Sequence, residues 1–323
     1  MKIAIIDDVT LTVEQEERLR SCGEVVIFTG VPNRPEEILA RAEGAQILIA
    51  SWTKINSRIL EKLTCLKMIS VWATGYDNVD VEAATRLGIR IAHVPGYATE
   101  AVAELCVGLM LAVVRRILPA DRDVRREKRL NWDRFPGAEL QGRILGLLGT
   151  GAIGARVAEI ARVFGMKIIA HDPFPREDLA GRLQIEYLPL PEVLRRSDIL
   201  SLHLPLSADT KGFFSGKEFA RMKPGAVFIN TARQAVVDQD ALLGALGSGR
   251  ISAAGLDDID LSRESGRRLL ELEQVVFTPH IGFHTAEAIA KKTDICFENA
   301  IQYIRGNPMN IVNPDPANQR ILR

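Results

Sequence analysis

The chain has 323 residues, so we expect two domains, because a single hydrophobic core rarely grows beyond about 250–300 residues. Hydrophobic residues make up 47% of it and charged residues 25%, which is ordinary globular usage and gives no indication of disorder. Lys+Arg (41) and Asp+Glu (41) balance, which leaves no net charge to attract nucleic acid or an anionic membrane.

The first part of the chain, to about residue 98, alternates short apolar runs with helical stretches. The apolar runs are KIAIID, EVVIF, QILIA, LKMISV and IRIAHV, and the helical stretches are EQEERLRSC, EEILARAEGA, SRILEKLT and DVEAATRLG. This alternation predicts repeated βα units and therefore a parallel sheet. The Pro-Gly pair within residues 94–99 suggests a domain boundary there.

A long apolar helix, EAVAELCVGLMLAVVRRIL, is predicted to run from Thr99 to Pro119. Thr99 is a suitable N-cap, and Arg115 and Arg116 would complement the dipole at the C-terminal end. The helix is apolar nearly all round, so we expect it to be buried between domains or to form a subunit interface, and the second possibility suggests a homodimer. The basic stretch at 121–129 is interrupted by acids, which favours a solvated helix face over a polyanion site.

Residues 144–172 read as a strand, a glycine turn, a helix and a second strand. In the pattern GTGAIG, Gly149 permits a tight turn, Gly151 lets backbone N–H groups approach a pyrophosphate, and Gly154 allows close packing of helix and strand. Such a turn also occurs for purely structural reasons. Asp172, 23 positions after Gly149, stands where a ribose-binding acid is expected, so the sequence favours NAD over NADP.

Further strand-like runs follow: SDILSLHLP, GAVFINTAR, ISAAGLDD and VVFTPHIG. His203, Arg233, Asp257 and His280 stand at or just past their ends, where open parallel sheets bind ligands. The stretch TAEAIAKKTDICFENAIQYIRG then predicts one or two helices that return to the first domain, followed by a proline-containing tail after Gly306.

Each of these side chains also has a structural interpretation. Arg233 could clamp a ligand carboxylate or form a surface salt bridge. His280 could be a buried core histidine, or a proton donor and acceptor whose ordinary pKa lies near neutrality. Asp257 could cap a turn or bind a cofactor carboxamide, and the loop ATGYDNVD at 73–80 could hold a carboxylate through its N–H groups or be a surface turn.

The four cysteines indicate neither a disulfide framework nor a metal site, because they are scattered without CxxC or Cys/His spacing. We expect buried thiols. The N-terminus MKIAIIDD reads as a first strand rather than a signal sequence, and no apolar run approaches membrane-spanning length. These features predict a cytoplasmic protein that binds neither membrane nor nucleic acid.

The ordered motifs GTGAIG with Asp172, NTAR at 230–233, GLDD at 255–258 and TPHIG at 278–282 resemble those of the D-isomer-specific 2-hydroxyacid dehydrogenase family. The resemblance covers essentially the whole chain. The segments ATGYDNVD and VPGYATEAVAE are most similar to the glycerate dehydrogenase branch, which includes hydroxypyruvate and glyoxylate reductases.

The resemblance implies two doubly wound parallel-sheet α/β domains with the active site in the cleft between them. A flavodoxin-like substrate domain is expected from residues 1–98 plus 284–323, and a Rossmann NAD-binding domain from residues 99–283. Arg233 would bind the substrate's carboxylate and carbonyl, and His280 would protonate the carbonyl oxygen as NADH delivers hydride.

The same resemblance assigns the remaining contacts by motif position. The substrate carboxylate would be held by the backbone of Ala73, Thr74 and Gly75. The cofactor would be held by Gly149, Gly151, Ala152, Ile153, Gly154, Asp172, His203, Pro205, Thr231, Ala232, Asp257 and Gly282, with Ala152 and Ile153 under the pyrophosphate.

Three departures from the family pattern bear on the site. Gln234 follows the catalytic arginine where a small residue is usual, and His93 replaces an asparagine. Family members place a glutamate, which orients the histidine, five residues beyond the Asp of GLDD, and this chain has Ser262 there. Either Asp260 or Glu264 could take that role, and we favour Glu264 because its longer side chain can span the gap.

The sequence therefore predicts an NAD-dependent reductase of small 2-keto acids that forms D-2-hydroxy acids, with hydroxypyruvate or glyoxylate as the expected substrate. The alternative is a dimeric NAD(H)-sensing module like the family's transcriptional corepressors, with little turnover. A corepressor usually has additional tails or a peptide-docking surface, so the domain content favours the enzyme.

Overall fold

The computed structural model describes residues 1–313, so the last ten residues of the predicted substrate domain, within the proline-containing tail, lie outside the described residues. The chain forms two compact units. The first unit contains Met1–Tyr97 and the described residues from Thr285 onward, and the second contains Ala98–His284.

The first unit is built on a five-stranded parallel sheet whose strand order is β2-β1-β3-β4-β5. Its elements are β1 (Lys2–Ile5), α1 (Val13–Arg20), β2 (Glu24–Ile27), α2 (Pro35–Arg41), β3 (Ile47–Ala50), α3 (Ser57–Leu60), β4 (Met68–Val71), α4 (Val81–Arg86), β5 (Arg90–Ala92) and, after the second unit, α13 (Ala286–Ile304).

The central strands β3 and β4 are buried at every position, as expected for a parallel sheet that is covered on both faces. The last helix, α13, begins where the Thr285 hydroxyl accepts a hydrogen bond from the N–H of Ala288 at 3.1 Å. It packs on β4 and α1 as a single helix, which settles the choice between one helix and two.

The second unit is built on a seven-stranded parallel sheet whose strand order is β12-β11-β10-β9-β6-β7-β8. Its elements are α5 (Thr99–Val114), α6 (Ile117–Glu127), β6 (Ile144–Leu148), α7 (Ala152–Val163), β7 (Lys167–His171), α8 (Glu177–Leu183), β8 (Glu186–Tyr187), α9 (Leu190–Arg196), β9 (Ile199–Leu202), α10 (Gly216–Arg221), β10 (Ala226–Asn230), α11 (Gln239–Gly247), β11 (Ile251–Leu256), α12 (Glu264–Leu269) and β12 (Val275–Phe277).

The strand order of this sheet reverses at β6. From β6 the chain proceeds to β7 and β8 on one side and then returns to β9, β10, β11 and β12 on the other. In open parallel sheets the ligand crevice lies outside the carboxyl ends of the strands at such a switch point. The glycine turn after β6 occupies that point.

The predicted long apolar helix is two helices. Thr99 is the first helical residue rather than the cap, and α5 ends at Val114 because Arg116 adopts a left-handed conformation, with φ of 53°. Most apolar side chains of α5 are buried within its own unit, against β10, β11 and α7. The basic stretch lies mostly on α6 and is largely exposed, as predicted.

Among the described residues, no helix is long and apolar enough to cross a membrane. All four cysteines are free. The prediction of buried thiols is correct for Cys106 and Cys296, whereas Cys65 is exposed and Cys22 is partly exposed.

Candidate active site

The turn after β6 requires glycine at two positions. Gly149 has φ of +95°, and a Cβ there would lie 2.6 Å from the carbonyl oxygen of His203. A Cβ on Gly154 would overlap the carbonyl oxygen of Gly149. The sequence therefore brings β6, the segment after β9 and the first turn of α7 into backbone contact.

The helix α7 starts directly from this turn, with Gly151 as its N-cap. A Cβ at Gly151 would meet nothing within 4 Å, so the N-terminus of the helix is open on that side. The N–H groups of Ala152 and Ile153 belong to the first turn of a helix, where they have no intrahelical acceptor and can bind an anion. This geometry fits a pyrophosphate.

Asp172 follows β7 and forms a network with the glycine turn. Its carboxylate accepts hydrogen bonds from the N–H (2.7 Å) and hydroxyl (3.0 Å) of Thr150 and from the N–H of Phe174 (2.9 Å). The Tyr187 hydroxyl in turn donates to the Thr150 hydroxyl at 2.9 Å. Partial burial opposes the charge on Asp172, but these donors prevail and lower its pKa, so the side chain is an anion at neutral pH.

His203 is a neutral, structural element of the site. Burial lowers its pKa to about 4. Its Nε2 lies 3.0 Å from the Ser201 hydroxyl, and its backbone N–H donates to the carbonyl oxygen of Leu148 at 2.8 Å. Pro205, two residues on, accepts a hydrogen bond from the Thr210 hydroxyl at 2.5 Å.

The segment after β10 positions Arg233. The side-chain amide of Asn230 accepts from the N–H of Ala232 at 3.0 Å and donates to the carbonyl oxygen of Arg233 at 3.1 Å. Thr231, which follows Asn230, is buried. The side chain of Arg233 is half-buried, and its guanidinium donates to the Ala232 carbonyl oxygen at 3.1 Å. The arginine therefore leaves the strand through a fixed turn rather than a free loop.

His280 is held in a left-handed backbone conformation, with φ of 55°. This conformation is uncommon for a residue with a side chain. The carboxylate of Asp257 holds the turn on either side of His280, because it accepts hydrogen bonds from the Thr278 hydroxyl (2.6 Å), the N–H of Ile281 (2.8 Å) and the N–H of Gly282 (2.7 Å). A Cβ on Gly282 would lie 2.7 Å from the same carboxylate, so the turn requires glycine there.

The carboxylate of Asp258 lies beside the imidazole. Its Oδ2 is 3.8 Å from Nδ1 of His280 and accepts the backbone N–H of Gln234 at 3.5 Å. One carboxylate therefore lies between the histidine and the residue that follows Arg233. The ring of Phe283 packs near the imidazole, with the ring centroids 5.8 Å apart.

The residues proposed from sequence to assist His280 stand further along the chain, and that role for them stays a prediction. Glu264 is the first residue of α12, and Asp260 accepts hydrogen bonds from the N–H (3.0 Å) and hydroxyl (2.6 Å) of Ser262. Sequence reasoning named the GLDD motif but gave Asp258 no role. It also missed the contact of Tyr187 with Thr150, for which residues 37 positions apart carry no local signal.

In the first unit, the loop after β4 is fixed by the strand beside it. The N–H of Val94 donates to the carbonyl oxygen of Ala73 (2.9 Å), and the Thr74 hydroxyl donates to the carbonyl oxygen of Val94 (2.7 Å). Nδ1 of His93 lies 2.9 Å from the carbonyl oxygen of Thr74. These bonds use the loop's carbonyl groups and a hydroxyl rather than the N–H groups of residues 73–75. The unusual His93 thus supports this loop.

Within residues 1–313, no group of three or more His, Cys, Asp or Glu side chains is arranged to hold a metal ion. The polar groups that follow the strands of the second sheet are instead backbone N–H groups, an ionised carboxylate and a guanidinium. This set fits a dinucleotide and a carboxylic acid.

The comparisons with known proteins agree with that chemistry. Residues 107–282 match the family model "D-isomer specific 2-hydroxyacid dehydrogenase, NAD binding domain". The chain is 40% identical over 269 residues to a glyoxylate reductase of Thermococcus litoralis (81% of each chain). It is 42% identical over 248 residues to a hydroxypyruvate reductase of Thermotoga maritima (75% of this chain, 79% of the relative).

Among solved structures, an acyclic imino acid reductase in complex with NADPH and D-Arg is 34% identical, with a TM-score of 0.89 over 97% of this chain and all of that one. A parallel sheet with a glycine turn at its switch point, together with these matches, defines an oxidoreductase with a Rossmann-type NAD-binding domain. The chain belongs to the D-isomer specific 2-hydroxyacid dehydrogenase family.

Membership in this family confirms the predicted fold class, the enzyme class and NAD as the cofactor. The family acts on small 2-hydroxy and 2-keto acids. The named relatives are reductases, so the comparisons do not support the corepressor interpretation.

Proposed function

We propose that this enzyme reduces a small 2-keto acid of the glyoxylate or hydroxypyruvate type to the D-2-hydroxy acid, with NADH as the reductant. The names of the two curated relatives support this substrate class. The observation that carries the proposal is the position of Asp258 Oδ2, 3.8 Å from the His280 imidazole and 3.5 Å from the N–H that follows Arg233. A proton donor and a carboxylate-binding cation are thereby kept near one another.

Each group has a defined task in this proposal. The guanidinium of Arg233 binds the substrate carboxylate and polarises its carbonyl, since its planar fork matches two oxygens at once. His280 donates a proton to the carbonyl oxygen, and bound NADH supplies the hydride to the carbonyl carbon. Backbone N–H groups of Ala73, Thr74 and Gly75 are proposed to bind the substrate carboxylate as well.

The cofactor contacts are proposed on the same basis. Gly149, Gly151 and Gly154 shape the turn, Ala152 and Ile153 donate to the pyrophosphate, and Asp172 binds the adenosine ribose. The segment after β9, with His203 and Pro205, and the segment after β10, with Thr231 and Ala232, border the cofactor. Asp257 and Gly282 act through the turn that carries His280. Residues 1–98 and 284–323 form the substrate domain and residues 99–283 the NAD-binding domain.

NADH oxidation with glyoxylate, hydroxypyruvate, pyruvate and phenylpyruvate tests the proposal. We expect glyoxylate and hydroxypyruvate to give the highest kcat/KM. His280→Gln should lower kcat by roughly 100-fold or more, which is the usual contribution of a general acid. His284→Gln, four residues on and exposed, is the matched control. Absence of turnover with all four acids, despite NADH binding, would refute the proposal.

Reduction of an acyclic 2-imino acid is a second candidate, favoured by the 34% identity to the imino acid reductase over nearly the whole chain. An iminium substrate already carries its proton, so hydride transfer yields the amine without a general acid. Replacement of the family's glutamate by Ser262 is compatible with that chemistry. NADH oxidation with pyruvate in ammonium chloride, compared with sodium chloride at equal ionic strength, distinguishes the two: a rate that appears only with ammonium supports the imine.

We also propose a cytoplasmic homodimer, in which a second copy covers the segment around α6. Large apolar side chains are exposed there, above all Leu130 (83%) and Trp132 (82%). Sedimentation should give twice the chain mass of 35.6 kDa. Leu130→Ser with Trp132→Ser should yield monomer, whereas Val163→Ser, also exposed on α7, should not. A wild-type monomer would contradict the proposal.

The four free cysteines are compatible with a reducing compartment.

A further inference from the structure

We propose that Asp258 is the positioning residue that orients the imidazole of His280 and stabilises its protonated form. This inference rests on the proposed function, because it assigns His280 the role of proton donor. It differs from the sequence-based expectation, which placed Glu264 or Asp260 beside the histidine.

The first support is the geometry of the pair. The Nδ1 atom of His280 and Oδ2 of Asp258 are 3.8 Å apart, and the two side chains are 27% and 32% exposed. A carboxylate at this distance favours the charged imidazolium, and partial burial limits solvent screening. The separation exceeds that of a hydrogen bond, but such contacts in free enzymes commonly shorten once the substrate is bound.

The second support comes from the other carboxylates of this region. Asp257 is directed to three donors of the turn 278–282, so its oxygens hold the backbone rather than the ring. Asp260 is bound by the N–H and hydroxyl of Ser262. The Asp258 carboxylate accepts a long contact from the N–H of Gln234 at 3.5 Å. A carboxylate can accept several hydrogen bonds, so Asp258 can also accept one from the imidazole.

The third support is the way the histidine is oriented. Because Nδ1 faces Asp258, we assign to Nε2 the donation to a substrate oxygen. In the reduction, the Nε2–H bond breaks and the proton passes to the carbonyl oxygen while hydride from NADH reaches the carbon. The ring is left neutral with its remaining proton on Nδ1, toward Asp258, and water returns the proton afterwards.

Other titratable groups near this turn act differently. Arg233, on the segment after β10, is a cation whose guanidinium donates to the carbonyl oxygen of Ala232. His284 is exposed, and its closest recorded ring contact is Phe283, with centroids 5.9 Å apart. The Phe283 ring also packs near His280 and restricts the imidazole on that side.

The test compares Asp258→Asn and Asp258→Glu with Asp260→Asn and Glu264→Gln as matched controls. In the free protein, the ring titration of His280 is followed by NMR of ¹⁵N-histidine-labelled samples, with His280→Gln identifying its signals among those of five histidines. We expect Asp258→Asn to move the titration midpoint of His280 to lower pH than in wild type. Asp258→Glu should recover much of the difference, and both controls should match wild type.

The second readout is the pH profile of kcat/KM for keto acid reduction. Asp258→Asn should make activity fade at a lower pH and reduce kcat roughly 10- to 100-fold, with a smaller effect on KM. An unchanged midpoint and profile in Asp258→Asn would overturn the inference, as would a shift caused by Asp260→Asn or Glu264→Gln instead. If wild type reduces no keto acid, the proposed function fails, while the NMR titration still decides whether the pair exists.

Discussion

The ammonium group of Lys292 lies 3.5 Å from the ring centroid of Trp72, in the interior of the first unit. The lysine side chain is buried, and the ring of Tyr97 lies 5.3 Å from the same nitrogen. Burial lowers the pKa of Lys292 to about 7, against the opposing influence of the Cys296 thiol. A lysine that is held among aromatic rings in this way should make stability depend on pH.

We expect Lys292→Met to raise the free energy of unfolding at pH 7 by a few kcal/mol. Burial lowers the pKa of Lys292 from 10.5 to about 7, and each pKa unit corresponds to about 1.4 kcal/mol of lost stability. The cation–π contact with Trp72 offsets about 2 kcal/mol of that loss. The unfolded chain binds more protons than the folded one between about pH 7 and pH 10.5. Wild-type stability should therefore rise with pH over that window relative to the variant. Urea unfolding at pH 7, 8.5 and 10 measures this, with the exposed Lys291→Met as control.

Gly282→Ala should impair catalysis more than stability. The new methyl group would lie 2.7 Å from the Asp257 carboxylate and would displace the turn that fixes His280. A shift of about 1 Å in a catalytic group can cost roughly 100-fold in kcat. Gly181→Ala on α8 is the control, since its Cβ meets nothing within 4 Å. Equal kinetics of the two variants and wild type would show that the turn tolerates a side chain.

Cofactor preference should follow Asp172 and the network behind it. Asp172→Ser removes the carboxylate that repels a 2′-phosphate, so the ratio of kcat/KM with NADH to that with NADPH should fall about tenfold or more. Tyr187→Phe removes the hydrogen bond to Thr150 and should raise KM for NADH by about two- to fivefold at similar kcat. Asp178→Asn, an exposed acid on α8, should change neither value. A higher kcat/KM with NADPH in wild type would contradict this assignment.

Arg233→Lys keeps the charge but loses the planar fork. We expect kcat/KM for the keto acid to fall roughly 100-fold while the fold is retained, because an ammonium group binds a carboxylate as a single point charge. Circular dichroism and steady-state kinetics measure the two effects. Arg195→Lys, at an exposed pair with Glu192, is the surface control. Wild-type kinetics in Arg233→Lys would remove this arginine from the site.

Local patterns were sufficient to predict most of the fold. The strand, glycine turn, helix and strand of residues 144–172 form as predicted, because the period of the apolar residues and the placement of glycines are set within short segments. The two-residue strand β8 is too short to produce a pattern and was not predicted. The break at Arg116 was also missed, since a left-handed arginine has no local signature.

The candidate site could be predicted only in part, for a related reason. The positions of Arg233, His280 and Asp172 after strand ends follow from the parallel sheet, whereas their roles remain proposals. The acid beside His280 depends on the course of residues 258–263, where the turn formed by Asp260 and Ser262 directs the chain. The path of this turn determines which carboxylate lies beside His280, and residue spacing along the chain does not predict that path.

The left-handed turn at His280 has a practical consequence for anyone who wishes to redesign substrate choice. The backbone position of the histidine is held by the turn that Asp257, Thr278 and Gly282 form. A mutant library should therefore keep those three positions fixed. Diversity introduced at Phe283 and His284 would alter the surroundings of the ring while the backbone of His280 keeps its position.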